Sequence, residues 1–257
     1  MDEVTIRECT SIEELERCVL LQRDVFGLPD LEISPRRHLI VSRQAGGWTL
    51  GAFTEDRLVG FVHHLTGVRN GNEVFGYSHM MAVDRAYQNK GVGARLKWSQ
   101  RARALEEGRD FIKWTWDPMQ ARNAHFNLNR LGVIVSSYGV NFYGTDYPDP
   151  IQSDAAVPGI DSDRLFAGWH IRSVRVMRLG KGENVPVSAP PDARIKIPSD
   201  WTQLLKRDPH RAKQELLRTR DEFQQNFSKG LVCAGFERDG GTGESHYLLY
   251  QSGAVRE

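Results

Sequence analysis

The chain has 257 residues and carries 34 Lys and Arg against 33 Asp and Glu, which gives a formal net charge of +1. A chain this close to neutrality has no long-range field to attract nucleic acid or an acidic membrane surface, so we expect neither as a partner. Hydrophobic residues make up 40% and charged residues 26% of the chain, as in ordinary globular proteins. No apolar run approaches the ~20 residues that span a bilayer, and the acidic start is unlike a signal peptide. We therefore expect a soluble, cytoplasmic protein.

The cysteines and histidines do not predict a metal site. The three cysteines, Cys9, Cys18 and Cys233, form no close pair in the sequence, and this odd, scattered set favours buried reduced thiols over a disulfide frame or a zinc site. The adjacent pair His63-His64 would alternate on a strand, so both rings cannot face one metal ion. We expect no metal.

The first part of the chain contains one helix with a well-defined start. Ser11 and Glu14 form a capping box, and apolar residues follow it as far as Phe26 and Gly27. Runs rich in β-branched and aromatic residues predict strands, two of them joined as a hairpin. The predicted elements here are a strand over 5–8, the helix from Ser11, strands over 48–53, 58–65 and 74–83, and a helix from Gly91 to Gly108.

The next part continues this alternation of strands and helices. A strand is predicted over 111–116, a helix over 121–131 that ends at Gly132, and further strands over 133–142 and 165–179. Between the last two lies a long, exposed loop that contains Pro148, Pro150 and Pro158. The fold class that follows is α/β, with a mixed central β-sheet flanked by helices.

A Gly- and Pro-rich stretch over 181–191 marks a linker. We therefore divide the chain into a domain of residues 1–179 and a C-terminal α+β extension of residues 180–257. The extension has the predicted order strand, helix, helix, strand, strand, which is also the order of residues 4–65. It is either an internal half-repeat of the N-terminal order or an addition that covers one edge of the sheet.

The stretch that carries chemistry starts where a predicted strand ends at Val83 and runs to Gly91-Val92-Gly93-Ala94. A strand that leads into a glycine-rich helix start presents unpaired N–H groups and the positive end of a helix dipole, which suits a pyrophosphate. Gly91 and Gly93 let the backbone approach an anion without a Cβ in the way. The alternative is a close-packed loop with no ligand.

Two other phosphate-binding motifs are excluded. The dinucleotide fingerprint Gly-x-Gly-x-x-Gly needs a third glycine at position 96, which is Leu96. The mononucleotide loop needs Gly-Lys followed by Ser or Thr, and the sequence contains no such triplet.

Gln88-x-x-Gly91-x-Gly93-Ala94 after a strand that ends in Val83 resembles the acyl-CoA-binding motif of the GNAT superfamily of N-acyltransferases, Gln/Arg-x-x-Gly-x-Gly/Ala. The strand over 111–116 and the helix that closes at Gly132 resemble the second conserved block of that family, and residues 4–179 cover its whole order of elements. The whole chain resembles a poorly characterised bacterial branch. The marks of that branch are Asp117-Pro118, Arg122-Asn123-Ala124, Asn127-Leu128, Leu131-Gly132 and Asn141-Phe142-Tyr143-Gly144.

This resemblance implies a GNAT-like fold and acetyl-CoA or another acyl-CoA as co-substrate, without a metal. It implies that the strand over 77–83 splays from its neighbour near Lys113, so that free backbone groups pair with the pantetheine arm. Backbone N–H groups over 80–82 would form an oxyanion hole, worth roughly 3–4 kcal/mol per donor in other enzymes. The residues expected to bind the co-substrate are Met81, Ala82, Val83, Gln88, Asn89, Lys90, Gly91, Val92, Gly93, Ala94 and Asn123.

The resemblance also implies a general base, often a Glu in the middle of the same strand. The corresponding stretch over 75–81 has no carboxylate, and Tyr77 and His79 share one face of it. We expect His79 to be the base, because the ordinary pKa of an imidazole lies near neutrality. The alternative is that His79 only packs or forms hydrogen bonds inside the sheet.

A proton donor for the leaving thiolate is harder to place. The family commonly has a Tyr four residues before the glycine that closes the second-block helix, and that position is Leu128. Either His125, Tyr138 or Tyr143 replaces it, or no acid is used. A missing acid would cost at most the ~10²–10⁴-fold typical of such groups. Tyr143 joins His79 and Tyr77 in the expected catalytic set.

Other conspicuous residues have structural explanations. Trp114 and Trp116 alternate on a strand and are expected in the core, or otherwise on a wall of the acceptor pocket. The segment over 162–164 is expected to cap and orient the next strand, or to contact the acceptor. Arg122 is the better anion candidate, and Lys90 and Arg95 are candidates for the CoA phosphate. A solvated helix face explains the remaining basic residues, Lys97, Arg101 and Arg103.

The leading hypothesis is an N-acyltransferase that moves an acetyl or other short acyl group from CoA to an amine of a small molecule or peptide by direct attack. The alternative is a CoA-binding or sensing module with reduced catalysis, which Leu128 and the missing strand Glu would permit. A nucleic-acid-directed transferase is disfavoured by the neutral charge. The sequence leaves the acceptor, the acyl length and the oligomeric state open, a homodimer being compatible with it.

Overall fold

The computed structural model describes residues 3–145, 160–238 and 240–255. The described residues up to Ile112 form one compact unit, and those from Lys113 onward form a second; the strand Phe111–Trp116, most of which follows the boundary, is described with the second unit. The prolines expected in an exposed loop, at 148, 150 and 158, lie outside the described residues. The division into a domain of residues 1–179 and an extension stays a prediction.

The first unit is built on four antiparallel strands in the order β1-β2-β3-β4. They are Val4–Glu8, Trp48–Thr54, Arg57–Arg69 and Glu73–Val83. Strands 2 and 3 form the predicted hairpin around a two-residue turn. All seven residues of β2 are buried, so helices cover both faces of this strand.

Three helices complete the first unit, namely α1 (Ile12–Phe26), α2 (Arg36–Gln44) and α3 (Val92–Glu106). The capping box predicted at α1 is confirmed, because Ser11 and Glu14 exchange both of its hydrogen bonds. Two apolar clusters lie on opposite faces of the sheet. One packs around Leu39 of α2, and the other packs around Leu96 of α3.

The second unit has six strands in the order β5-β7-β6-β9-β10-β8. They are β5 (Phe111–Trp116), β6 (Ile134–Gly139), β7 (Arg164–His170), β8 (Ala193–Pro198), β9 (Leu231–Glu237) and β10 (Glu244–Gln251). Its helices are α4 (Ala121–His125), which continues as one π-helical turn over Phe126–Arg130, α5 (Val174–Gly180), α6 (Trp201–Arg207) and α7 (Pro209–Ser228). Sheets flanked by helices in both units confirm the predicted α/β class and the α+β C-terminal part.

The strand predicted over 165–179 is wrong in its second half. β7 ends at His170, and the side chain of Ser173 accepts a hydrogen bond from the backbone N–H of Val176. This cap starts α5, so the alternating valines that indicate a strand belong to a short helix instead.

The C-terminal part repeats the element order of the N-terminal part but not its strand pairing. In the first unit, β1 pairs with β2, the strand that follows the two helices. In the second unit, β8 pairs with β10, which is the last strand of its series. The half-repeat therefore does not extend to the topology.

Several single residues also correct or confirm the sequence predictions. Cys9, Cys18 and Cys233 are buried as expected, but the Sγ atoms of Cys9 and Cys18 lie 3.9 Å apart, so these two cysteines are close in space although they are separated in the sequence. Trp114 and Trp116 are buried, as predicted. No helix within the described ranges is both long and apolar enough to cross a membrane.

The prediction of a solvated face on α3 is wrong at Lys97. This side chain is only 3% exposed, and its Nζ donates hydrogen bonds to Ser78 and Gln100. Helical spacing alone groups Lys97 with the surface cations, whereas polar partners on β4 and on its own helix hold it inside.

Candidate active site

The start of α3 is an open helix N-terminus. Gly91 is its N-cap residue, with φ of 82° and ψ of −3°, and no side chain among the described residues caps the helix. This left-handed conformation favours glycine. The first-turn N–H groups at Val92, Gly93 and Ala94 have no acceptor within the helix, because the helical ladder begins with Arg95 N donating to Gly91 O. This end of α3 can therefore accept an anion.

The loop before this helix is held by its own side chains. Gln88 Nε2 donates to Val83 O at 3.0 Å, and Ala86 N donates to the carboxylate of Asp84 at 2.9 Å. These bonds close the loop on the end of β4 and leave Asn89 to Gly91 exposed. Of the predicted co-substrate residues, Gln88 thus shapes the loop through its side chain.

The two motif glycines differ in what the fold demands of them. A Cβ on Gly91 would meet nothing within 4 Å, so only its positive φ selects glycine. A Cβ on Gly93 would lie 3.5 Å from Met81 Cε, an ordinary contact, so packing within this unit does not exclude a small side chain there. The expected role of Gly93 in admitting an anion stays a prediction.

β4 carries an irregularity at His79. Met80 pairs with His63 and Ser78 pairs with His64, so His79 is one extra residue on β4 with no partner of its own on β3. Such a β-bulge re-aims side chains and is common beside active sites. After the bulge, the two faces of β4 pack against different helices. Met81 and Val83 pack towards α3, and Ala82 packs in the apolar cluster around Leu39 of α2.

His79 lies in a cluster of three imidazoles, which we call the histidine cluster: His38 of α2, His63 of β3 and His79 of β4. Their ring centroids are 5.6 Å apart for His38 and His79, 5.7 Å for His38 and His63, and 6.1 Å for His63 and His79. His79 Nε2 lies 3.3 Å from Ser34 Oγ. Within the described residues, His38 Nε2 is buried without a hydrogen-bond partner.

The hydrogen bonds of His63 fix its tautomer. Ser42 Oγ donates to Leu39 O at 3.0 Å, so it accepts from His63 Nε2, which lies 3.0 Å away. Because burial disfavours the charged imidazole, His63 Nδ1 accepts from Thr49 Oγ1 at 2.8 Å. His63 is therefore a neutral imidazole with both nitrogens engaged, and it forms a fixed wall of the cluster.

Protonation of His63 and His79 is disfavoured. Burial, followed by the charges of His79 and His38, lowers the pKa of His63 to about 3. His79 has an exposed edge, yet the surrounding protein and then the charge of His38 lower its pKa to about 4. Both rings are therefore neutral at neutral pH, and His79 is free of a proton on one nitrogen.

The remaining expected residue of this strand, Tyr77, is half-buried and pairs with Leu65. Only Ser78 separates Tyr77 from His79, and alternate residues of a strand lie on the same face, so the two side chains share a face of β4. Their common role in catalysis stays a prediction.

The second unit contains the other expected residues. Asn123 is half-buried on α4, and Arg122 beside it is exposed. Leu128 is completely buried, and its carbonyl accepts a hydrogen bond from Arg175. The π-helical turn that contains Leu128 is a feature often found near functional sites.

The three candidate proton donors differ in protonation, hydrogen bonding and exposure. Burial, followed by the nearby Arg238 and Arg130, lowers the pKa of His125 to about 4, so His125 holds no extra proton at neutral pH. The hydroxyl of Tyr138 donates to Asp163 at 2.6 Å, and burial with this carboxylate raises the pKa of Tyr138 far above its usual range. Tyr143 is 45% exposed, with its hydroxyl 3.4 Å from Thr115 Oγ1.

Sequence reasoning missed Ser34, His38 and Ser42, which surround His79 and His63. Each is separated from the histidines of the sheet by a connection whose path the sequence does not define. The only available signal in the sequence is Pro35, the N-cap residue of α2, which follows Ser34 and precedes His38 and Ser42.

Comparisons with known proteins agree with this architecture. The sequence model of the Acetyltransferase (GNAT) family matches residues 12–132. A protein of Desulfovibrio desulfuricans, described as an acetyltransferase of the GNAT family, is 13% identical, and the match covers 66% of this chain and 99% of that chain with a TM-score of 0.52. A protein of Acinetobacter baylyi ADP1, described as an acetyltransferase, is 17% identical, with 65% and 93% covered and a TM-score of 0.51.

No curated protein matches the chain. At these identities the two solved structures establish the fold alone. The family match, by contrast, includes α1, the histidine cluster, the loop before α3 and the helix that contains Leu128. Residues 12–132 therefore match the GNAT family of acetyltransferases, and the chain has the fold of that family.

Proposed function

We propose that the protein is an acyl-CoA-dependent N-acyltransferase that acetylates, or acylates with another short group, an amine of a small molecule or peptide. The observation that carries this proposal is the uncapped start of α3 at Gly91, reached directly from the bulged strand that contains His79. The pyrophosphate of CoA is the proposed anion at this helix start, because free N–H groups and the positive end of a helix dipole suit a phosphate group. We further propose that the protein acts in the cytoplasm.

In the proposed reaction, the amine nitrogen attacks the thioester carbonyl carbon in a ternary complex. The C–N bond forms, the C–S bond breaks, and the products are an amide and CoA. The amine loses a proton to a base, and the leaving thiolate gains one from an acid or from solvent. Backbone N–H groups over 80–82 are proposed to stabilise the oxyanion between these steps.

His79 is the proposed general base. It is neutral at neutral pH because of its lowered pKa, and its exposed edge leaves it accessible. A base with a pKa this low accepts a proton weakly, so the acceptor must be held close to it, directly or through a water. The buried Nε2 of His38, which has no hydrogen-bond partner in the described part of the chain, offers a polar contact that can hold the acceptor in this way.

Tyr143 is the proposed proton donor to the thiolate. Of the three candidates, His125 is neutral and Tyr138 is tied to a buried carboxylate, which favours Tyr143 by elimination. Met81, Ala82, Val83, the segment from Gln88 to Ala94, and Asn123 remain the proposed co-substrate residues.

A second function has one specific observation in its favour. The family's usual tyrosine position is the buried Leu128, whose side chain has no proton to donate, and β4 contains no carboxylate after Glu73. Both features fit a CoA-binding or sensing module with reduced catalysis. The two functions share the acyl-CoA site and differ only in turnover.

The test combines binding and turnover. Isothermal titration with acetyl-CoA measures the Kd, and release of free thiol with a panel of small-molecule and peptide amines measures transfer. Turnover that disappears in His79→Ala while the Kd stays unchanged supports the transferase. Tight binding without thiol release for any amine supports the sensing module, and no binding by the folded protein overturns both.

A further inference from the structure

The second unit contains a buried carboxylate that joins its C-terminal helix α7 to the start of β7. Asp163 is 1% exposed. Arg220 of α7 donates to it twice, from Nε to Oδ2 at 2.8 Å and from Nη2 to Oδ1 at 2.9 Å. The same Nη2 donates to Asp161 Oδ2 at 2.6 Å. A fork-to-carboxylate pair of this kind fixes both distance and orientation.

The same carboxylate anchors the turn that carries Tyr143. Asn141 N donates to Asp163 Oδ1 at 2.9 Å, and Ser162 N donates to the side chain of Asn141 at 3.2 Å. Tyr143 N donates to Ser162 Oγ at 2.7 Å, and Phe142 N donates to Ser162 O at 3.0 Å. Three successive amides of the turn are therefore held by Ser162 and Asp163.

This turn needs an anchor because its backbone is unusual. Asn141 has a φ of 44°, in the left-handed region that residues other than glycine adopt infrequently. The aromatic ring of Tyr143 then lies 5.1 Å from the guanidinium carbon of Arg164, and its hydroxyl lies near Thr115. The position of the phenol thus depends on a backbone conformation that Asp163 maintains.

We infer that Arg220 is a positioning residue for the acyl transfer, and that the C-terminal part of the chain contributes to the reaction by holding the Tyr143 turn. Without Arg220, the charge of Asp163 would be buried without its cationic partner, and the carboxylate would take up a proton or draw in water. Either change weakens its bond to Asn141 and frees the turn. The inference rests on the proposed role of Tyr143.

Hydrogen exchange tests the structural half of the inference without any substrate. In Arg220→Met, we expect the amides of Asn141 and Tyr143 to exchange about ten-fold faster or more than in the wild type, because Asp163, the acceptor of Asn141 N, is no longer fixed, and neither is the neighbouring Ser162 that accepts from Tyr143 N. Arg218→Met is the matched control, since Arg218 lies on the same helix and pairs with Glu215 and Glu222 instead. Equal protection of the turn in Arg220→Met and in the control overturns the inference.

Turnover tests the catalytic half. We expect kcat in Arg220→Met to fall about ten-fold or more while the Kd for acetyl-CoA stays unchanged, because a small displacement of a catalytic group is costly. In a Tyr143→Phe background, Arg220→Met should cause no further loss. Losses that multiply in the double variant mean that Arg220 acts elsewhere and overturn the positioning role.

Arg220→Lys retains the charge but loses the two-pronged geometry, so we expect partial recovery of both exchange protection and kcat. This variant also carries the comparison if Arg220→Met does not fold. If the wild type binds acetyl-CoA but turns over no amine, the transferase proposal fails, and the exchange measurement decides alone whether Arg220 holds the turn.

Discussion

Lys97 Nζ donates a hydrogen bond to Ser78 Oγ at 2.7 Å inside the first unit, linking α3 to β4 one residue before the bulge. Burial lowers the pKa of Lys97 well below its usual range. The unfolded chain therefore binds more protons than the folded one in the interval below the ordinary lysine pKa, and stability rises with pH there.

Lys97→Met should abolish this contribution. We expect the free energy of unfolding of the wild type, measured by urea titration, to increase more between about pH 7 and pH 9.5 than that of Lys97→Met, because this interval lies below the ordinary lysine pKa. Arg101→Met, an exchange on the same helix, should keep the wild-type slope. Equal slopes for wild type and Lys97→Met would show that Lys97 stays protonated in the fold.

The buried histidines His63 and His64 are expected to make the folded protein less stable in acid. Burial first, and then Arg109 and Lys97, lower the pKa of His64 to about 2, and burial lowers the pKa of His63 to about 3. Because the folded-state pKa values lie below the unfolded ones, stability is present above the unfolded pKa and is lost as the pH falls towards the folded values. Each unit of difference corresponds to about 1.4 kcal/mol.

In His64→Gln, the free energy of unfolding should therefore depend less on pH in the acid range. Its unfolding free energy at neutral pH should fall, since Gln100 and Arg109 lose a partner. The further decrease between about pH 7 and pH 5, where an unfolded histidine takes up its proton, should be smaller than in the wild type. His246→Gln, on β10, serves as the control. An unchanged acid slope in His64→Gln would contradict the lowered pKa.

A substitution in the loop before α3 should cause a selective loss of acetyl-CoA binding. Gly91→Glu should abolish acetyl-CoA binding, because the new carboxylate would oppose the pyrophosphate. Gly182→Glu is a matched control, since both glycines have a φ of 82° and a Cβ at either position would meet no atom within 4 Å, so both variants carry the same backbone strain. Isothermal titration that finds the same Kd in both folded variants would contradict the site.

His79 predicts a shifted pH profile. As the base, His79 should set the acid limb of kcat/KM near its lowered pKa of about 4, and not near the ordinary imidazole value. His79→Gln should lower kcat by ~10²–10⁴-fold and leave the Kd for acetyl-CoA unchanged. Thiol-release rates between about pH 3.5 and pH 8, a range that includes both the lowered pKa and the ordinary imidazole value, measure the profile. A profile that is identical in His79→Gln would assign the limb to another group.

Local signals predict most of the elements, and their failures have definite causes. Ser11 and Glu14 define α1 because a capping box is complete within four residues. Helical spacing assigns Lys97 to the surface wrongly, because its partner Ser78 is 19 residues away and on another element. Such spacing specifies a face of α3 but not what covers it.

The candidate site is predictable from the sequence only in its loop. The segment up to Gly91 is contiguous, so its motif is visible in the sequence. The histidine cluster depends on the path of the chain between α1 and α2 and on an irregular strand pairing, neither of which has a residue pattern. The bond between Arg220 and Asp163 joins residues 57 positions apart, and nothing in the sequence of α7 distinguishes Arg220 from the other arginines of that helix.

The extra residue on β4 has a consequence for the strand itself. Removing His79 would place Ser78 and Met80 next to each other in the chain while both kept their present partners on β3, so every other side chain would stay in phase. For the sheet, His79 is therefore dispensable: a one-residue deletion there should leave a folded protein whose remaining strand is regular. The pairing of β3 with β4 therefore does not require a residue at position 79.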